Sequence, residues 1–219
     1  MTIVAIDGPV GSGKSTVARM VAERLGFVYI DTGAMYRAVG LLATEAGVAL
    51  DDEVAVLAVA ADADLHFEPG GHLLVGSRDV ADEIRSLAAG GAASRVSALP
   101  GVRHLLVDQQ RRIAAGADVV MEGRDIGTNV FPAADAKIFL TARPDVRAAR
   151  RCAELVERGE DVRPEEVLAA LVERDRRDSE RAVAPLRRAD DAVELDTSEL
   201  SLDQVVEAAV AIVRERTGR

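Results

Sequence analysis

Residues 8–15 have the sequence Gly-Pro-Val-Gly-Ser-Gly-Lys-Ser, and this stretch decides the fold. It matches the P-loop pattern G-x-x-x-x-G-K-S/T, whose glycines let the backbone wrap a phosphate with its N–H groups inward. An apolar, β-branched run precedes it at residues 2–6, and helical periodicity follows over residues 14–25. The order strand, glycine loop, helix therefore places a phosphate at a helix N-terminus, where the helix dipole is positive.

The loop predicts the seat of a triphosphate. Lys14 is expected to reach the β- and γ-phosphates and Ser15 to bind Mg²⁺. A glycine-rich turn that matches by accident is the weaker interpretation, because the four fixed positions match in roughly one random chain in a hundred, and this chain has only two lysines, Lys14 and Lys137. The expected donor-binding residues are Gly8, Pro9, Val10, Gly11, Ser12, Gly13, Lys14, Ser15 and Thr16.

Length, charge and cysteine content bound the class of protein. The 219 residues suit a single α/β domain over residues 1–219. The net charge of −10 argues against a nucleic-acid partner, which would require a basic face. Cys152 is the only cysteine, no run approaches the roughly 20 apolar residues of a membrane span, and the chain opens into a strand rather than an apolar signal. We expect a cytoplasmic, monomeric enzyme with no membrane partner.

Short apolar segments alternate with helical patterns along the chain. They begin near residues 3, 28, 118, 137 and 192. This alternation predicts an α/β fold with a central parallel sheet of about five strands and helices on both faces. A capping box at residues 201–204 predicts a last helix, to which we assign no chemistry.

Residues 62–98 interrupt the alternation and are interpreted as an insertion. Apolar residues alternate at 65–67 and 73–75 around Pro69-Gly70-Gly71, which predicts a hairpin. His66 and His72 flank this turn. They are interpreted as solvated loop histidines rather than metal ligands, since no cysteine is near and the two do not share a helix face.

Polar side chains follow the predicted strands, where open α/β sheets place their ligand contacts. Thr32 is expected to cap a helix and to bind a phosphate, with Arg37 one turn further on. Residues 122–128 form a charged, glycine-flanked loop after a core strand. Spacing alone leaves open that Arg37 is a solvated helix residue and that residues 122–128 form a salt-bridged turn.

Arginines and acids crowd residues 143–188. Most of them fit solvated helices with i,i+4 pairs such as Glu173 with Arg177. The polar, glycine-bearing connection at residues 157–164 suits a mobile lid, which we assign to about residues 152–165.

Two sets of charged residues in this region do not fit a purely solvated helix. Arg147 and Arg151 are spaced to project together from a helix that begins at Pro144. A second set shares one face of a helix that must stop before Pro185. Its members are Arg174, Asp178 and Arg181.

These arginines favour a kinase with an anionic acceptor over other P-loop proteins. A GTPase requires an Asn-Lys-x-Asp guanine-binding motif, which this chain does not contain. Phosphoryl transfer needs mainly positioning and charge neutralisation, and a phosphate acceptor needs no general base because its second pKa is about 6. Arg37 is expected to help hold the acceptor phosphate. The expected catalytic residues are Lys14, Arg124, Arg151 and Arg181.

Four further motifs occur together with residues 6–16. They are Asp-Thr-Gly-Ala-Met-Tyr-Arg at 31–37, Glu-Gly-Arg-Asp-Ile-Gly-Thr at 122–128, Lys-Ile-Phe-Leu-Thr-Ala at 137–142 and Arg-Asp-Arg-Arg-Asp-Ser-Glu-Arg-Ala-Val-Ala-Pro-Leu at 174–186. With these motifs the chain resembles, almost end to end, the bacterial-type cytidylate kinases, which are nucleoside monophosphate kinases acting on CMP and dCMP. Many kinases share the first motif, whereas the others together are specific.

The resemblance implies a P-loop kinase fold with an acceptor-binding region at about 32–103, the insertion at 62–98 and a short lid. It implies ATP with Mg²⁺ as donor and CMP or dCMP as acceptor. The residues implied at the CMP phosphate are Thr32, Arg37, Arg124 and Arg181; at cytosine, Ser94, Arg103 and Asp125; at the sugar, Arg174 and Asp178.

A carboxylate and an arginine suit cytosine, which offers an exocyclic amine donor beside acceptor atoms, whereas uracil inverts that pattern. The chain departs from the family at residues 87–91, where adjacent glycines disfavour a helix and suggest a looser segment before Ser94. Two other functions stay open at this point. One is a P-loop kinase for UMP, AMP or shikimate, and the other is a nucleotide-switched binding protein.

Overall fold

The computed structural model describes residues 1–68 and 70–218, except for the side chain of Leu87. In chain order its elements are β1 (Ile3–Asp7), α1 (Lys14–Leu25), β2 (Val28–Asp31), α2 (Thr32–Glu45), α3 (Glu53–Asp62), β3 (Leu65–Phe67), β4 (Leu73–Val75), β5 (Arg78–Asp79), α4 (Leu87–Val96), α5 (Pro100–Ala114), β6 (Val119–Gly123), β7 (Ala136–Thr141), α6 (Pro144–Glu157), α7 (Pro164–Glu180), β8 (Val193–Asp196) and α8 (Leu202–Thr217). A 3₁₀ turn at Glu83–Arg85 precedes α4, and a π-helical turn at Ile126–Val130 follows β6.

A parallel sheet forms the centre of the described residues, with five strands in the order β2-β6-β1-β7-β8. The predicted parallel sheet is therefore confirmed. β1 lies in the middle and is buried along its whole length, so the P-loop leaves the sheet from its most enclosed strand. The register pairs Asp7 with Gly123 and Asp31 with Glu122, which brings the carboxyl ends of three strands to one edge.

Helices cover both faces of this sheet, as the alternation predicts. On one face Val17 and Val21 of α1 pack with Val206 of α8 against Ile6. On the other, Val107 of α5 belongs to the cluster that contains Ile3, Ile30 and Met121. Each such buried side chain stabilises the fold by roughly 1.5–3 kcal/mol relative to leaving it exposed.

Residues 62–98, the predicted insertion, carry an antiparallel sheet of β3, β4 and β5, in which Leu65 pairs with Val75. The predicted hairpin is confirmed, although Pro69 at its turn lies outside the described residues. His66 Nδ1 lies 3.9 Å from Asp64 Oδ1. Within residues 1–68 and 70–218, no group of three His, Cys, Asp or Glu side chains is arranged to hold a metal.

Helix α4 forms despite its adjacent glycines. Ser86 caps it by accepting the N–H of Ala89 at 3.1 Å. Gly40 of α2 meets it so closely that a Cβ on Gly40 would lie 2.8 Å from the Ala92 Cβ. Gly91 has no contact of this kind, since nothing lies within 4 Å of the position of its missing Cβ.

The helix after β2 begins differently from the sequence prediction. Asp31, not Thr32, is the N-cap, because Asp31 keeps extended dihedral angles and its carboxylate accepts the N–H of Ala34 at 2.9 Å. Thr32 is already helical, and its hydroxyl donates to the Glu122 carbonyl at 2.7 Å. The cap prediction for Thr32 was therefore wrong, and Thr32 instead joins α2 to β6.

The charged C-terminal third forms the predicted helices. Pro144 and Pro164 stand in the first turns of α6 and α7, and residues 158–163 connect the two helices. The capping box of Ser201 and Gln204 opens α8. None of the helices in the described ranges has the length and apolar character needed to cross a membrane.

We predict that Asp7 makes stability depend on pH between about 4 and 6. Its carboxylate accepts the N–H groups of Ile126 and Gly127, each at 2.8 Å, and burial raises its pKa to about 6. A carboxyl whose pKa is raised on folding stabilises the protein at low pH and loses that contribution as pH rises through the folded pKa. Across this interval the wild type should lose about 3 kcal/mol more of its free energy of unfolding than Asp7→Asn.

Urea denaturation of both proteins at half-unit steps from pH 4 to pH 7 measures this difference. The substitution is expected to change the free energy of unfolding at every pH. The comparison therefore uses the slope of that free energy against pH in each protein. Parallel slopes would show that Asp7 does not change its protonation on folding.

Candidate functional site

A cleft of about 650 Å³ opens at the carboxyl ends of β1, β2 and β6. Its described lining contains nine basic side chains and four carboxylates, although the whole chain has a net charge of −10. The basic residues are Lys14, Arg19, Arg37, Arg85, Arg124, Arg151, Arg158, Arg174 and Arg177; the acidic ones are Asp31, Glu122, Glu154 and Glu157. This local excess of positive charge suits a polyanionic ligand.

The P-loop forms one wall of the cleft. Gly8 is required by close packing, because a Cβ there would lie 2.0 Å from the Leu140 carbonyl oxygen. Gly13 takes φ 89° as the N-cap of α1, a left-handed conformation that favours glycine. Of the nine predicted donor residues, Gly8, Pro9 and Ser12 lie behind the cleft surface; the six on it are Val10, Gly11, Gly13, Lys14, Ser15 and Thr16.

Lys14 is buried and folds back over the loop. Its Nζ donates to the Pro9 carbonyl at 2.6 Å and to Ser12 Oγ at 3.3 Å. Burial, reinforced by the nearby Arg124 guanidinium, lowers the pKa of Lys14 to about 7. The ammonium is thus held in a place that disfavours its charge until an anion arrives.

Oxygen donors surround the start of α1. Ser15 is exposed to the cleft and its hydroxyl interacts with Glu122. Glu122 accepts a hydrogen bond from the Tyr29 hydroxyl at 2.8 Å. Burial raises the pKa of Glu122, and so does repulsion from Asp31.

Two predicted acceptor arginines are held at the centre of the cleft by carboxylates. Arg37 Nη2 lies 2.8 Å from Asp31 Oδ2, so Arg37 is not a freely solvated helix residue. Arg124 Nε lies 3.2 Å from Asp178 Oδ2, and its Nη1 donates to the Gly123 carbonyl at 3.2 Å. The Nε of Arg37 is buried without a hydrogen-bond partner among the residues that the structure describes.

Both arginines, together with Asp125, also line a smaller cavity of about 50 Å³. Asp125 is buried, with an ion pair to Arg103 and a second to Arg181, whose Nη2 lies 3.3 Å from Asp125 Oδ1. Asn129 Nδ2 donates to Asp125 Oδ2 at 3.1 Å, and the Arg103 guanidinium lies over the Tyr36 ring at 5.6 Å from its centroid. The loop at 122–128 is therefore salt-bridged and also lines a cavity.

Helix α7 carries Arg174 and Asp178 of the predicted set to this region, whereas Arg181 follows it as the C-cap, so the three residues do not all lie on one helix face. Arg174 Nε lies 4.0 Å from Asp178 Oδ2 and finds no hydrogen-bond partner in the described part of the chain. Burial lowers the pKa of Arg174 to about 9, and repulsion from Arg124 adds to the effect. A buried guanidinium whose N–H donors are not all hydrogen-bonded, at the edge of a cleft, is a candidate anion-binding site.

Sequence spacing did not predict where the side chains of Arg147, Arg151 and Ser94 point. Arg147 and Arg151 do not point to the same place, because Arg147 is buried behind the P-loop while Arg151 lines the cleft. Arg151 donates to the Arg85 carbonyl at 3.0 Å and to Glu154 at 2.8 Å. Ser94 is buried, lies outside the lining of both cavities, and has no hydrogen-bond partner for its hydroxyl within the described residues.

Sequence reasoning did not assign roles to several side chains that shape the site. Asp7, Asp31 and Glu122 lie at or next to the carboxyl ends of parallel strands, where a polar residue after an apolar run is a usable signal. Tyr29 and Asp175 carried no such signal. Their contacts depend on residues that are distant in sequence.

The chain is similar in sequence to cytidylate kinases. The sequence model of the cytidylate kinase family matches residues 4–215. A cytidylate kinase of Geobacillus kaustophilus is 50% identical over 218 residues, which cover 98% of this chain and 97% of that protein. A cytidylate kinase of Solibacter usitatus is also 50% identical, over 98% of this chain and 93% of that protein.

Solved structures of small-molecule kinases share the fold at low sequence identity. A gluconokinase from Sinorhizobium meliloti superposes with a TM-score of 0.51 at 17% identity, covering 98% of this chain and 92% of that one. A shikimate kinase from Bacteroides thetaiotaomicron superposes with a TM-score of 0.51 at 13% identity, covering 100% of this chain and 99% of that one. These likenesses show a P-loop α/β kinase fold.

We predict that triphosphate binding at pH 8 takes up protons at Lys14. With a pKa of about 7 the free side chain is mostly neutral at this pH, and phosphate charge nearby restores the ammonium form. Uptake should approach about one proton per ATP bound and should disappear in Lys14→Met.

Calorimetric titrations in buffers of different ionisation enthalpy measure the proton uptake. Arg151→Met is the matched control, because it removes a different positively charged side chain from the lining of the same cleft. Equal proton uptake by the wild type and Lys14→Met would contradict the assignment.

Proposed function

We propose how the cleft performs the reaction of the cytidylate kinase family, to which this chain belongs. The γ-phosphate of ATP passes to CMP or dCMP, giving ADP and CDP or dCDP. The likeness to relatives spans nearly the whole chain, which favours this acceptor over UMP, AMP or shikimate and favours a kinase over a nucleotide-switched binding protein.

The donor triphosphate is proposed to lie against the P-loop. Backbone N–H groups at the start of α1 meet its phosphates together with the positive end of the helix dipole. Lys14 leaves the Pro9 carbonyl to reach the β- and γ-phosphates, which the negative charge of ATP makes favourable. ATP binding thereby gives the buried Lys14 ammonium a negatively charged hydrogen-bond partner, which it lacks among the residues that the structure describes.

Mg²⁺ is proposed to enter with ATP at Ser15. The hydroxyl of Ser15 and the nearby carboxylate of Glu122 are the hard oxygen ligands that suit this ion, and Mg²⁺ commonly combines one or two protein ligands with phosphates and water. When bound, the ion would neutralise charge on the phosphates. Tyr29 orients Glu122 for this role through its hydroxyl.

The acceptor phosphate is proposed to lie among Arg37, Arg124 and Arg181, beside Thr32. Arg37 and Arg124 each present N–H groups to the cleft while a carboxylate holds the rest of the guanidinium. The dianionic phosphate is already a nucleophile near neutral pH, so these residues align it rather than deprotonate it. Arg151, once released from the Arg85 carbonyl, is proposed to stabilise charge on the transferring group.

Asp125 and Arg103 are proposed to recognise cytosine, with Arg174 and Asp178 at the sugar. A carboxylate offers about four acceptor positions, and Arg103, Arg181 and Asn129 occupy three of those of Asp125. One position remains for the exocyclic amine of cytosine. Uracil presents a carbonyl there, which a carboxylate repels.

Ser94 stays a proposed cytosine contact only if its hydroxyl becomes accessible, since in this structure it lies behind the cavity wall. Residues 32–103 with the insertion at 62–98 are proposed as the acceptor-binding region, and residues 152–165 as the lid. We further propose a monomeric enzyme, because one chain supplies both the donor and the acceptor side of the cleft. We also propose a cytoplasmic location, since a chain whose only cysteine is Cys152 forms no internal disulfide.

The observation that carries this proposal is that the buried Asp125 lines a cavity directly adjoining the P-loop cleft, with Arg37 and Arg124 in the lining of both. We predict ATP consumption that depends strictly on CMP or dCMP. A coupled ADP assay with CMP, dCMP, UMP, AMP and shikimate measures this dependence. ATP hydrolysis that no acceptor stimulates would favour the binding-protein alternative, and a preference for another acceptor would reassign the second site.

We predict that Asp125→Asn lowers kcat/KM for CMP by about 10- to 100-fold, which is about 1.4–2.8 kcal/mol of transition-state stabilisation, and reduces the CMP/UMP preference. Asparagine keeps the shape of the side chain and an oxygen that can accept a hydrogen bond from buried Arg103, whereas alanine would remove both. The ion pairs with Arg103 and Arg181 are lost in either variant.

Asp191→Asn is the control for Asp125→Asn, since Asp191 pairs with Lys137 outside the cleft lining. Thermal unfolding of both variants identifies any loss of folded protein. A CMP/UMP ratio of kcat/KM equal to that of the wild type would rule out base recognition by Asp125.

A further inference from the structure

We infer that Asp175, acting with Arg147, is a positioning residue that couples the donor site to the acceptor site. This inference rests on the proposed function, because it assumes that ATP lies on the P-loop and CMP near Asp125. Asp175 belongs to α7, the helix that carries Arg174 and Asp178. Its own side chain turns the other way, to the P-loop.

Asp175 and Arg147 together hold the Val10 peptide. Asp175 Oδ1 accepts the N–H of Val10 at 3.3 Å, and Asp175 Oδ2 accepts from Arg147 Nη1 at 2.5 Å. The same Nη1 donates to the Val10 carbonyl at 2.9 Å, while Arg147 Nε donates to the Ala142 carbonyl at 2.9 Å. Both backbone polar groups of Val10 are therefore fixed by this ion pair.

The contact continues at the next residue of the loop. Gly11 packs against the Arg147 backbone, where a Cβ on Gly11 would lie 3.1 Å from the Arg147 carbonyl oxygen. Arg147 is only 5% exposed, so the pair is screened from solvent and its geometry is well defined. A displacement of α7 should consequently move the P-loop, which is proposed to hold the donor phosphates.

The other face of α7 meets the acceptor side. Arg174 precedes Asp175 directly, and Asp178, one turn later, pairs with Arg124. An α-helix moves largely as a unit because its backbone hydrogen bonds link successive turns. Seating CMP against Arg174 and Asp178 therefore sets the position of Asp175, and with it the position of Val10 relative to the acceptor phosphate.

An ion pair that only stabilised the fold would lower thermal stability and leave cooperativity between the nucleotides intact. A coupling role predicts that the affinity for CMP rises when a non-hydrolysable ATP analogue is bound, and that this rise depends on the pair. By reciprocity the analogue binds more tightly to the CMP complex by the same factor. Coupling factors in proteins are commonly about 5- to 150-fold.

The test uses Asp175→Asn in the full chain and measures CMP affinity with and without the analogue. The wild type should show at least about fivefold coupling, and Asp175→Asn should reduce the factor towards one while each nucleotide alone binds within about threefold of wild type. Since alignment governs the transfer step, kcat should fall by at least about tenfold, and each KM measured at a saturating second nucleotide should rise by about the coupling factor that is lost.

Arg147→Lys provides the second variant, because lysine keeps the charge but cannot hold Asp175, Val10 and Ala142 at once. It should reproduce the loss of coupling. The coupling factor of the double variant should equal that of the more impaired single variant, because both substitutions break the same interaction. Glu180→Gln is the matched control on α7; Glu180 pairs with exposed Arg176 and should leave coupling unchanged.

Wild-type coupling in both Asp175→Asn and Arg147→Lys would overturn the inference, as would a wild type without coupling. If either variant fails to fold, the result for the other decides between these outcomes, and Asp175→Glu replaces a missing Asp175→Asn. Failure of the proposed function looks different, since the wild type would then show no CMP-dependent ADP formation.

Discussion

Repulsion between cations in one cleft is the constraint on which the site depends. The chain is acidic overall, yet basic side chains outnumber carboxylates in the described cleft lining. The effect is visible in Lys14 and Arg174, whose pKa values are lowered to about 7 and about 9 by burial and by neighbouring guanidiniums. Three carboxylates offset part of this repulsion by pairing with Arg37, Arg124 and Arg181. In the proposed function, the phosphates of the two nucleotides supply the remaining negative charge.

The parallel sheet makes this concentration of charge possible. Its register aligns the ends of β1, β2 and β6, so that Asp31 and Glu122 lie opposite each other at the mouth of the cleft. Asp7, at the end of β1, accepts two backbone N–H groups from the loop that follows β6. These hydrogen bonds hold that loop against β1 and so fix the positions of Arg124 and Asp125. Charged residues are thus held by backbone geometry rather than by flexible side chains alone, and the site is preorganised for transfer.

Helix α7 joins the two halves of the cleft. Its residues pair with the P-loop through Asp175, and with Arg124 in the loop after β6 through Asp178. The turn that follows α7 also holds Arg181, whose Nε donates to the Ala184 carbonyl at 2.6 Å. In the proposed function, a single element therefore contacts the binding sites of both nucleotides, which accounts for the density of charged residues between residues 174 and 181.

The sequence by itself determined the P-loop, the alternation that produces the parallel sheet, and the charged sets that line the cleft, because these follow from local spacing and chain direction. Only the tertiary structure decided where each charged side chain points. Arg147 and Arg151 have equivalent spacing, yet one binds Asp175 behind the P-loop and the other faces the cleft. The N-cap prediction for Thr32 was wrong for the same reason, because the cap is Asp31. Hydrogen-bond partners such as Asp178 for Arg124, 54 residues apart, are fixed by packing between distant elements, which no local pattern encodes.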